Sequence, residues 1–192
     1  MNLANRLTML RIALTFVFML VFLRPGLLPK ACALVIFTIA ALSDLFDGII
    51  AKKRNMVTDF GRLMDPIADK ILVLSAFAVF LQIQLIEAWM FMIIVSREIL
   101  ITSLRLFALN KGKILSAVRA GKHKTFFQMS AIFYILLFIV VKESVKIYSV
   151  WNPRWENFFR SSINIFMLVT VALTLYSGVS YLWENRKVIA KL

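Results

Sequence analysis

The chain has 192 residues, of which 61% are hydrophobic and only 17% are charged, and its mean hydropathy is +0.83. Soluble domains contain about 45–50% apolar residues, so this composition excludes an ordinary soluble protein, and the hydrophobicity also excludes intrinsic disorder. The single cysteine, Cys32, excludes an internal disulfide framework. We therefore predict an all-α integral membrane protein that forms one domain over residues 1–192.

Six apolar stretches follow one another along the chain, and each is close to the length of about 20 residues that a transmembrane helix needs. They cover approximately residues 7–28, 31–50, 63–85, 88–109, 126–141 and 163–183. The first stretch ends at Arg24-Pro25-Gly26, and residues 142–160 form the longest predicted connection, rich in aromatic side chains. This pattern predicts six transmembrane helices.

The basic residues indicate how these helices are oriented. The chain has 23 Lys and Arg against 10 Asp and Glu, giving a net charge of +13. The cations lie mainly between the apolar stretches, which favours contact with anionic membrane lipids over nucleic acid. With both termini in the cytoplasm, that side receives fourteen of these cations and the other side six. The positive-inside rule therefore predicts cytoplasmic termini.

Four aspartates interrupt the apolar pattern. Asp44 and Asp47 lie near the end of the second stretch, and Asp65 and Asp69 lie near the start of the third. An ionisable group within a span costs about 2.5–3.5 kcal/mol even on the gentlest scale. Spacings of three and four residues place each pair on one face of a helix. Because the connection is short, all four carboxylates are expected to meet at one depth near the cytoplasmic surface.

Four carboxylates in one place repel one another unless several are protonated or divalent cations bind among them. Clustered oxygen ligands suit Mg²⁺ or Mn²⁺, and four carboxylates can hold two ions. A structural alternative is that these are helix-end acids paired with Lys52, Arg62 and Lys70. The number of acids and their spacing favour the metal site.

The residues around the aspartates form a recognisable motif. They read D-L-F-D-G-I-I-A-K, then eight residues, then G-R-L-M-D-P-I-A-D. This resembles the signature of the CDP-alcohol phosphatidyltransferase family, D-x2-D-G-x2-A-R-x8-G-x3-D-x3-D. Lys52 stands where the family usually has arginine, and it keeps the charge but loses the bidentate fork.

The resemblance implies a magnesium- or manganese-dependent membrane transferase of phospholipid biosynthesis. In such enzymes two divalent cations hold the diphosphate of CDP-diacylglycerol, an alcohol attacks the phosphate next to the diacylglycerol, and CMP leaves. The metal ligands implied by the motif are Asp44, Asp47, Asp65 and Asp69, with Asp69 also as the general base. The positions implied to bind CDP-diacylglycerol are Asn5, Thr8, Gly48, Lys52 and Thr58. Family members are typically homodimers.

The acceptor alcohol is suggested by cations later in the chain. Arg97 and Arg105 lie two helical turns apart in the fourth stretch, and buried arginines are expected to pair with Glu98 or with an anion. The segments R-E-I-L-I-T-S-L-R and G-K-H-K-T-F-F-Q-M are similar to those of bacterial family members that use sn-glycerol 3-phosphate. The resemblance implies an acceptor-phosphate pocket formed by Arg97, Arg105, Lys122 and Lys124. It also implies a site at the cytoplasmic face of the bacterial cytoplasmic (inner) membrane.

Two alternatives remain at this point. The acceptor of a family member can instead be serine, inositol phosphate or phosphatidylglycerol. A divalent-cation transporter would also place acids within the membrane, although transporters usually bind near the midplane between repeats. Here the acids lie near one end of two stretches, which favours the enzyme.

Overall fold

The computed structural model describes residues 3–54, 59–113, 115–116 and 119–190, without the side chains of residues 3–7, 44–54, 59–66, 69, 119 and 120. These ranges contain helices and no β-strand, which confirms the predicted all-α class. The helices are α1 (Leu3–Phe22), α2 (Leu27–Arg54), α3 (Asp59–Gln82), α4 (Ala88–Asn110), α5 (Arg119–Tyr148) and α6 (Pro153–Ile189).

Glycine and proline set several helix ends. Gly26, with φ +97°, occupies the left-handed region in the turn between α1 and α2, where residues with a Cβ are strained. Pro29 lies in the first turn of α2, where it is tolerated because the first helical N–H groups have no partner within the helix. Pro153 begins α6, and the Asn152 side chain accepts a 2.9 Å hydrogen bond from the Arg154 N–H.

The predicted long connection over residues 142–160 is wrong. Helix α5 continues to Tyr148 and α6 begins at Pro153, so only residues 149–152 join them. Polar partners explain the extra turns, because Glu156 accepts ion pairs from Lys142 at 2.6 Å and from Arg160 at 3.1 Å. The two helices therefore extend past their apolar stretches.

Two of the described helices are long and apolar enough to cross a bilayer, Gly121–Tyr148 within α5 and Pro153–Ile189 as α6. Helix α4 has sufficient length, but Arg97, Glu98 and Arg105 interrupt its apolar surface. Shorter apolar segments lie in α1, α2 and α3. The helices are consistent with a membrane protein, while the six spans and their orientation remain predictions.

An aromatic core joins the first three helices to α5. The rings of Phe18, Phe22, Phe37 and Phe80 are fully buried, and successive ring centroids lie 5.4–5.9 Å apart. Phe37 also meets Phe133 of α5 edge-on at 5.5 Å. Aromatic pairs of this geometry add to the area that they bury. Helix α4 packs mainly on α6, and its buried residues Met90 and Ile94 join the same core.

The helices alternate in direction and define two ends of the bundle. The aspartate end, where α2 finishes and α3 begins, also holds the end of α4 and the start of α5, because Glu98 contacts Lys70 and Lys124. Asn185 of α6 joins it by accepting a 2.8 Å hydrogen bond from the Ser116 N–H. The opposite end holds the connections at residues 23–26, 83–87 and 149–152.

Candidate active site

The four aspartates lie on two helices that meet at the aspartate end. Asp44 and Asp47 are in the second half of α2, and Asp65 and Asp69 are in the first half of α3. Their side chains lie outside the described part of the structure. Among the described side chains, no group of three or more metal-ligating residues comes together. Four carboxylates at these helical spacings are a suitable donor set for Mg²⁺ or Mn²⁺, and metal binding by them remains a prediction.

The predicted CDP-diacylglycerol residues are described only in part. Thr8 is buried within α1, one turn before the equally buried Arg11. Asn5 lies in α1 and Gly48 and Lys52 lie in α2, with side chains outside the described set, and Thr58 lies outside the described residues altogether. The start of α1 therefore contributes buried polar groups to a helix that packs on both α2 and α3.

A buried carboxylate, Glu98 of α4, is surrounded by cations at the aspartate end. Its side chain is 2% exposed, and it forms ion pairs with Lys70 of α3 at 3.1 Å, with Arg97 at 3.5 Å and with Lys124 of α5. The amide of Gln128 also donates to it at 3.4 Å. A buried charge is costly unless it is paired and hydrogen-bonded. Glu98 therefore connects three helices, and we call these residues the Glu98 cluster.

Arg97 is held closely on its other side by α6. Its Nη2 donates a 2.8 Å hydrogen bond to the Ser177 hydroxyl. A Cβ at Gly178 would lie 3.3 Å from Cγ of Arg97, which is tighter than most contacts of that kind. The buried Nε of Arg97 has no hydrogen-bond partner within the described part of the chain. A buried donor without a partner is unfavourable, so this guanidinium retains capacity for one more acceptor.

The remaining predicted acceptor residues lie further along the same helices. Arg105 is exposed, and its guanidinium lies over the Tyr181 ring at 5.7 Å from the centroid. The Tyr181 hydroxyl is buried and makes no hydrogen bond that the structure describes. Lys122 is exposed near the start of α5, whereas Lys124 is buried against Glu98. The structure thus brings Arg97 and Lys124 together through Glu98 and places Arg105 two turns away on α4.

The sequence analysis missed several parts of this arrangement. Glu98 was expected only as one partner of the arginines, and Lys70 only as a partner of the aspartates. Ser177 and Gly178 were not singled out, although small or polar residues within an apolar stretch often allow two helices to approach closely. The spacing of Lys124 and Gln128, one turn apart in α5, was a further signal of a polar helix face.

The charge of the Glu98 cluster determines which ligand it suits. Three cations surround one carboxylate, so the cluster carries more positive than negative charge. Lys70 and Arg97 keep 27% and 13% of their side chains exposed, while Lys124 keeps 2%. Ammonium and guanidinium groups bind phosphate through charge-assisted hydrogen bonds. The geometry therefore suits an anion such as a phosphate.

Comparison with known proteins connects this site to a family. The sequence model of the CDP-alcohol phosphatidyltransferase family matches residues 1–176. Proteins named CDP-diacylglycerol–glycerol-3-phosphate 3-phosphatidyltransferase align over nearly the whole chain. The relative from Bacillus subtilis is 34% identical, covering 96% of this chain and 95% of its own. The relative from Rickettsia bellii is 39% identical, covering 97% and 96%, and that from Escherichia coli is 34% identical, covering 96% and 95%. The chain therefore belongs to the CDP-alcohol phosphatidyltransferase family, as the aspartate motif predicted.

Proposed function

We propose that the protein transfers the phosphatidyl group of CDP-diacylglycerol to sn-glycerol 3-phosphate, giving phosphatidylglycerophosphate and CMP. The observation that carries this acceptor is the cationic Glu98 cluster, which includes Lys70, the residue immediately after Asp69 in α3. A cluster in which three cations surround one carboxylate, next to the aspartates, suits an alcohol that carries a phosphate. The names of the curated relatives support the same acceptor.

The four aspartates are proposed to hold two divalent cations, Mg²⁺ or Mn²⁺. When bound, these ions neutralise the diphosphate and the charge that develops in an in-line displacement. Asp44, Asp47 and Asp65 serve as ligands in this proposal, and Asp69 has a second role as the general base. It accepts the proton of the attacking hydroxyl while the new O–P bond forms and the bond to CMP breaks.

The two substrates are proposed to bind on different sides of the aspartates. The CDP portion of the donor binds to residues of α1, α2 and the segment after α2, namely Asn5, Thr8, Gly48, Lys52 and Thr58. The acceptor phosphate binds on the α4 and α5 side, at Arg97, Arg105, Lys122 and Lys124. Because Lys124 is buried against Glu98, it acts through its charge in this proposal, whereas the partly exposed side chain of Arg97 contacts the phosphate directly.

The whole chain is proposed to form one catalytic domain in the bacterial cytoplasmic membrane, with six spans, cytoplasmic termini and the active site at the cytoplasmic face. The distribution of Lys and Arg supports this orientation. A homodimer is proposed as well. Helix α4 exposes Met92, Ile99, Leu100 and Phe107, an apolar face that is compatible with either lipid or a second copy of the chain.

A panel of acceptors tests the proposed reaction. The purified full chain in detergent micelles containing CDP-diacylglycerol and Mg²⁺ is given sn-glycerol 3-phosphate, glycerol, serine, inositol phosphate or phosphatidylglycerol, and CMP release is measured. We expect fast release with sn-glycerol 3-phosphate and slow release with the others. Faster CMP release with serine, phosphatidylglycerol or inositol phosphate would show that this alcohol, and not sn-glycerol 3-phosphate, is the acceptor. Absence of CMP release with every alcohol, together with metal uptake into liposomes, would favour a transporter.

A further inference from the structure

We propose that Tyr181 of α6 is a positioning residue for the acceptor: its ring holds the guanidinium of Arg105 and leaves the N–H groups of that arginine available to the acceptor phosphate. This inference rests on the proposed function, which assigns Arg105 to the acceptor, and it adds Tyr181. The residue lies outside the aspartate motif and reaches Arg105 from a different helix.

Arg105 has an aromatic contact but no polar partner from the described part of the protein. Its guanidinium carbon lies over the Tyr181 ring, 5.7 Å from the centroid, which is within the range of a cation–π interaction. Within the described residues, the Arg105 side chain forms no hydrogen bond and no ion pair. A cation–π contact holds a guanidinium without using a carboxylate, so the fork of N–H donors that matches a phosphate remains available.

The Tyr181 ring is a fixed support for this contact. Tyr181 is 2% exposed and belongs to a small apolar cluster with Ala108 of α4 and Leu115 of the connection that follows. Its carbonyl accepts a 2.9 Å hydrogen bond from the Asn185 amide, and the Asn185 side chain accepts a 2.8 Å hydrogen bond from the Ser116 N–H. The turn of α6 that carries the ring is thereby joined to the connection between α4 and α5. A cation that lies against a fixed surface loses less conformational entropy when it binds a ligand.

The ring, and not the hydroxyl, is the part of Tyr181 that has a partner. The buried hydroxyl makes no hydrogen bond in the described structure, and a buried polar group without a partner is unfavourable. The face of the ring meets the Arg105 guanidinium. Tyr181→Phe therefore keeps the contact that the inference requires, whereas Tyr181→Leu removes it.

A second arginine and aromatic ring at the same end of the bundle differ from this pair. Arg186 lies over the Trp183 ring at 4.4 Å from the centroid, but its Nη1 donates a 3.1 Å hydrogen bond to the Trp183 carbonyl. The protein thus supplies Arg186 with an acceptor. Arg105 instead lies on the helix of Arg97, and the two guanidinium charges repel each other. Two like charges on one helix favour the binding of an anion near both.

The test compares Tyr181→Leu and Tyr181→Phe with wild type in the full chain, using Trp183→Leu as a matched control. The control removes the aromatic partner of Arg186 at the same end of the bundle. For each variant the KM for sn-glycerol 3-phosphate, the KM for CDP-diacylglycerol, kcat and the thermal unfolding midpoint are measured in detergent micelles.

We expect Tyr181→Leu to raise the acceptor KM about two- to fivefold, the effect of losing one cation–π contact, and to leave the donor KM unchanged. Tyr181→Phe and Trp183→Leu should match wild type in both KM values. An acceptor KM that rises as much in Tyr181→Phe as in Tyr181→Leu would show that the hydroxyl acts instead of the ring, and would overturn the inference.

A double-mutant cycle with Arg105→Ala shows whether Tyr181 acts through Arg105. When Arg105→Ala is already present, Tyr181→Leu should cause no further increase in the acceptor KM, because the guanidinium that the ring positions is gone. Increases that multiply in the double variant would overturn the inference.

A graded change of the ring keeps the inference testable if Tyr181→Leu does not fold. Phenylalanine carrying fluorine atoms is introduced at position 181 by nonsense suppression, which keeps nearly the same shape. Fluorine withdraws electron density and weakens the negative face of the ring, on which the attraction for a cation depends. We expect the acceptor KM to rise stepwise with the number of fluorine atoms. A constant acceptor KM across this series would contradict the role of the ring.

The outcomes separate this inference from the proposed function. Equal increases in both KM values, or an unchanged acceptor KM in folded Tyr181→Leu, would overturn the role of Tyr181, while wild-type turnover with sn-glycerol 3-phosphate would still uphold the proposed function. A wild type that uses only unphosphorylated alcohols would overturn both. An increase confined to the acceptor KM, absent from Tyr181→Phe, would support the role, because a residue that serves only folding would not divide the two substrates.

Discussion

The two ends of the bundle each contain a glutamate surrounded by cations, and the two glutamates differ in their surroundings. At the opposite end, Glu156 accepts from Lys142 at 2.6 Å, from Arg160 at 3.1 Å and from the Trp151 indole at 3.0 Å, and we call these four residues the Glu156 cluster. At the aspartate end, Glu98 pairs with Lys70, Arg97 and Lys124. Both carboxylates join neighbouring helices, Glu156 joining α5 to α6 and Glu98 joining α4 to α3 and α5.

The difference lies in burial and in whether every donor has a partner. Glu156 is 19% exposed, and the second arm of Arg160 donates to the Gln84 carbonyl at 3.1 Å, so that cation is satisfied by the protein. Glu98 is 2% exposed, and Arg97 beside it retains a buried Nε without a hydrogen bond among the described residues. Structural clusters satisfy their own donors, whereas a ligand site leaves capacity for the ligand. This difference supports the proposal that the aspartate end binds a substrate, whereas the contacts of Glu156 hold helices together.

Removal of divalent metal should have the largest effect, and only through the aspartate end. We expect excess chelator to abolish turnover, Mg²⁺ or Mn²⁺ to restore it, and Ca²⁺ to fail, because Ca²⁺ prefers longer and looser oxygen shells. CMP release after chelation and re-addition of each ion is the measurement. Full activity in excess chelator would contradict the metal assignment to Asp44, Asp47, Asp65 and Asp69.

Asp69→Asn should lower kcat by about 10²- to 10⁴-fold, the usual contribution of general base catalysis, because an amide cannot accept the hydroxyl proton. Binding of CDP-diacylglycerol, measured by equilibrium dialysis with a CDP-lipid analogue, should remain detectable. Asp47→Asn should instead weaken both metal and CDP-lipid binding. Glu156→Gln is the control at the opposite end and should leave kcat unchanged. Loss of binding alone in both aspartate variants would show that the division of roles is wrong.

Arg97→Ala should raise the KM for sn-glycerol 3-phosphate by about 10- to 100-fold, since a charged hydrogen bond contributes about 1.5–3 kcal/mol. The KM for CDP-diacylglycerol should move much less. Arg160→Ala removes an arginine of the Glu156 cluster and serves as the matched control, with both KM values near those of wild type. An equal acceptor KM in Arg97→Ala and Arg160→Ala would contradict the proposal that only the aspartate end binds the acceptor.

Gly178→Ala should also raise the KM for sn-glycerol 3-phosphate, but by less than Arg97→Ala. The added methyl group would lie 3.3 Å from Cγ of Arg97, so the side chain must shift, and we expect the acceptor KM to rise about two- to fivefold, under about 1 kcal/mol. Gly121→Ala is the control, because its methyl group would meet Ser177 Oγ at an ordinary 3.9 Å. The acceptor KM of both variants is measured by steady-state kinetics. Equal KM values for Gly178→Ala and Gly121→Ala would show that the close approach of α4 and α6 does not position Arg97.

Glu156→Gln should have the smallest effect. Partly exposed ion pairs contribute up to about 1 kcal/mol to the free energy of unfolding, so the thermal midpoint should fall slightly and both KM values should stay constant. Unfolding scans in detergent and the acceptor titration provide the measurement. An increase in the acceptor KM would show that the Glu156 cluster takes part in acceptor binding. The contrast between the two ends of the bundle would then be wrong.

The fold class and the family followed from short-range patterns in the sequence. Apolar stretches indicated helices at about the observed positions, and the spacing from Asp44 to Asp69 was specific enough to indicate the family. The helix ends at 142–160 were predicted poorly, because ion pairs of Glu156 and the Asn152 cap extend α5 and α6 beyond their apolar residues. Hydropathy does not report such polar contacts.

The acceptor side of the site was predictable only as a set of cations. Arg97 and Lys124 stood out because charges within apolar stretches are costly, but their common partner depends on packing between α4 and α5. Similarly, the contact of Ser177 and Gly178 with Arg97 joins positions about 80 residues apart. No local pattern encodes a pairing of that separation, so Lys70 and Gly178 emerged only from the folded chain.

The length of α6 bears on how the protein responds to its lipid environment. Its 37 residues span about 55 Å at 1.5 Å per residue, more than the roughly 40–45 Å of a bilayer with its headgroups. A helix with this excess accommodates thinner or thicker membranes by changing its tilt. Ser177 and Gly178 lie against Arg97, so we expect a change in the tilt of α6 to move this guanidinium, which the proposed function assigns to the acceptor. On this basis we expect the acyl-chain length of the surrounding bilayer to change the affinity for the acceptor, so that membrane thickness would regulate the proposed reaction.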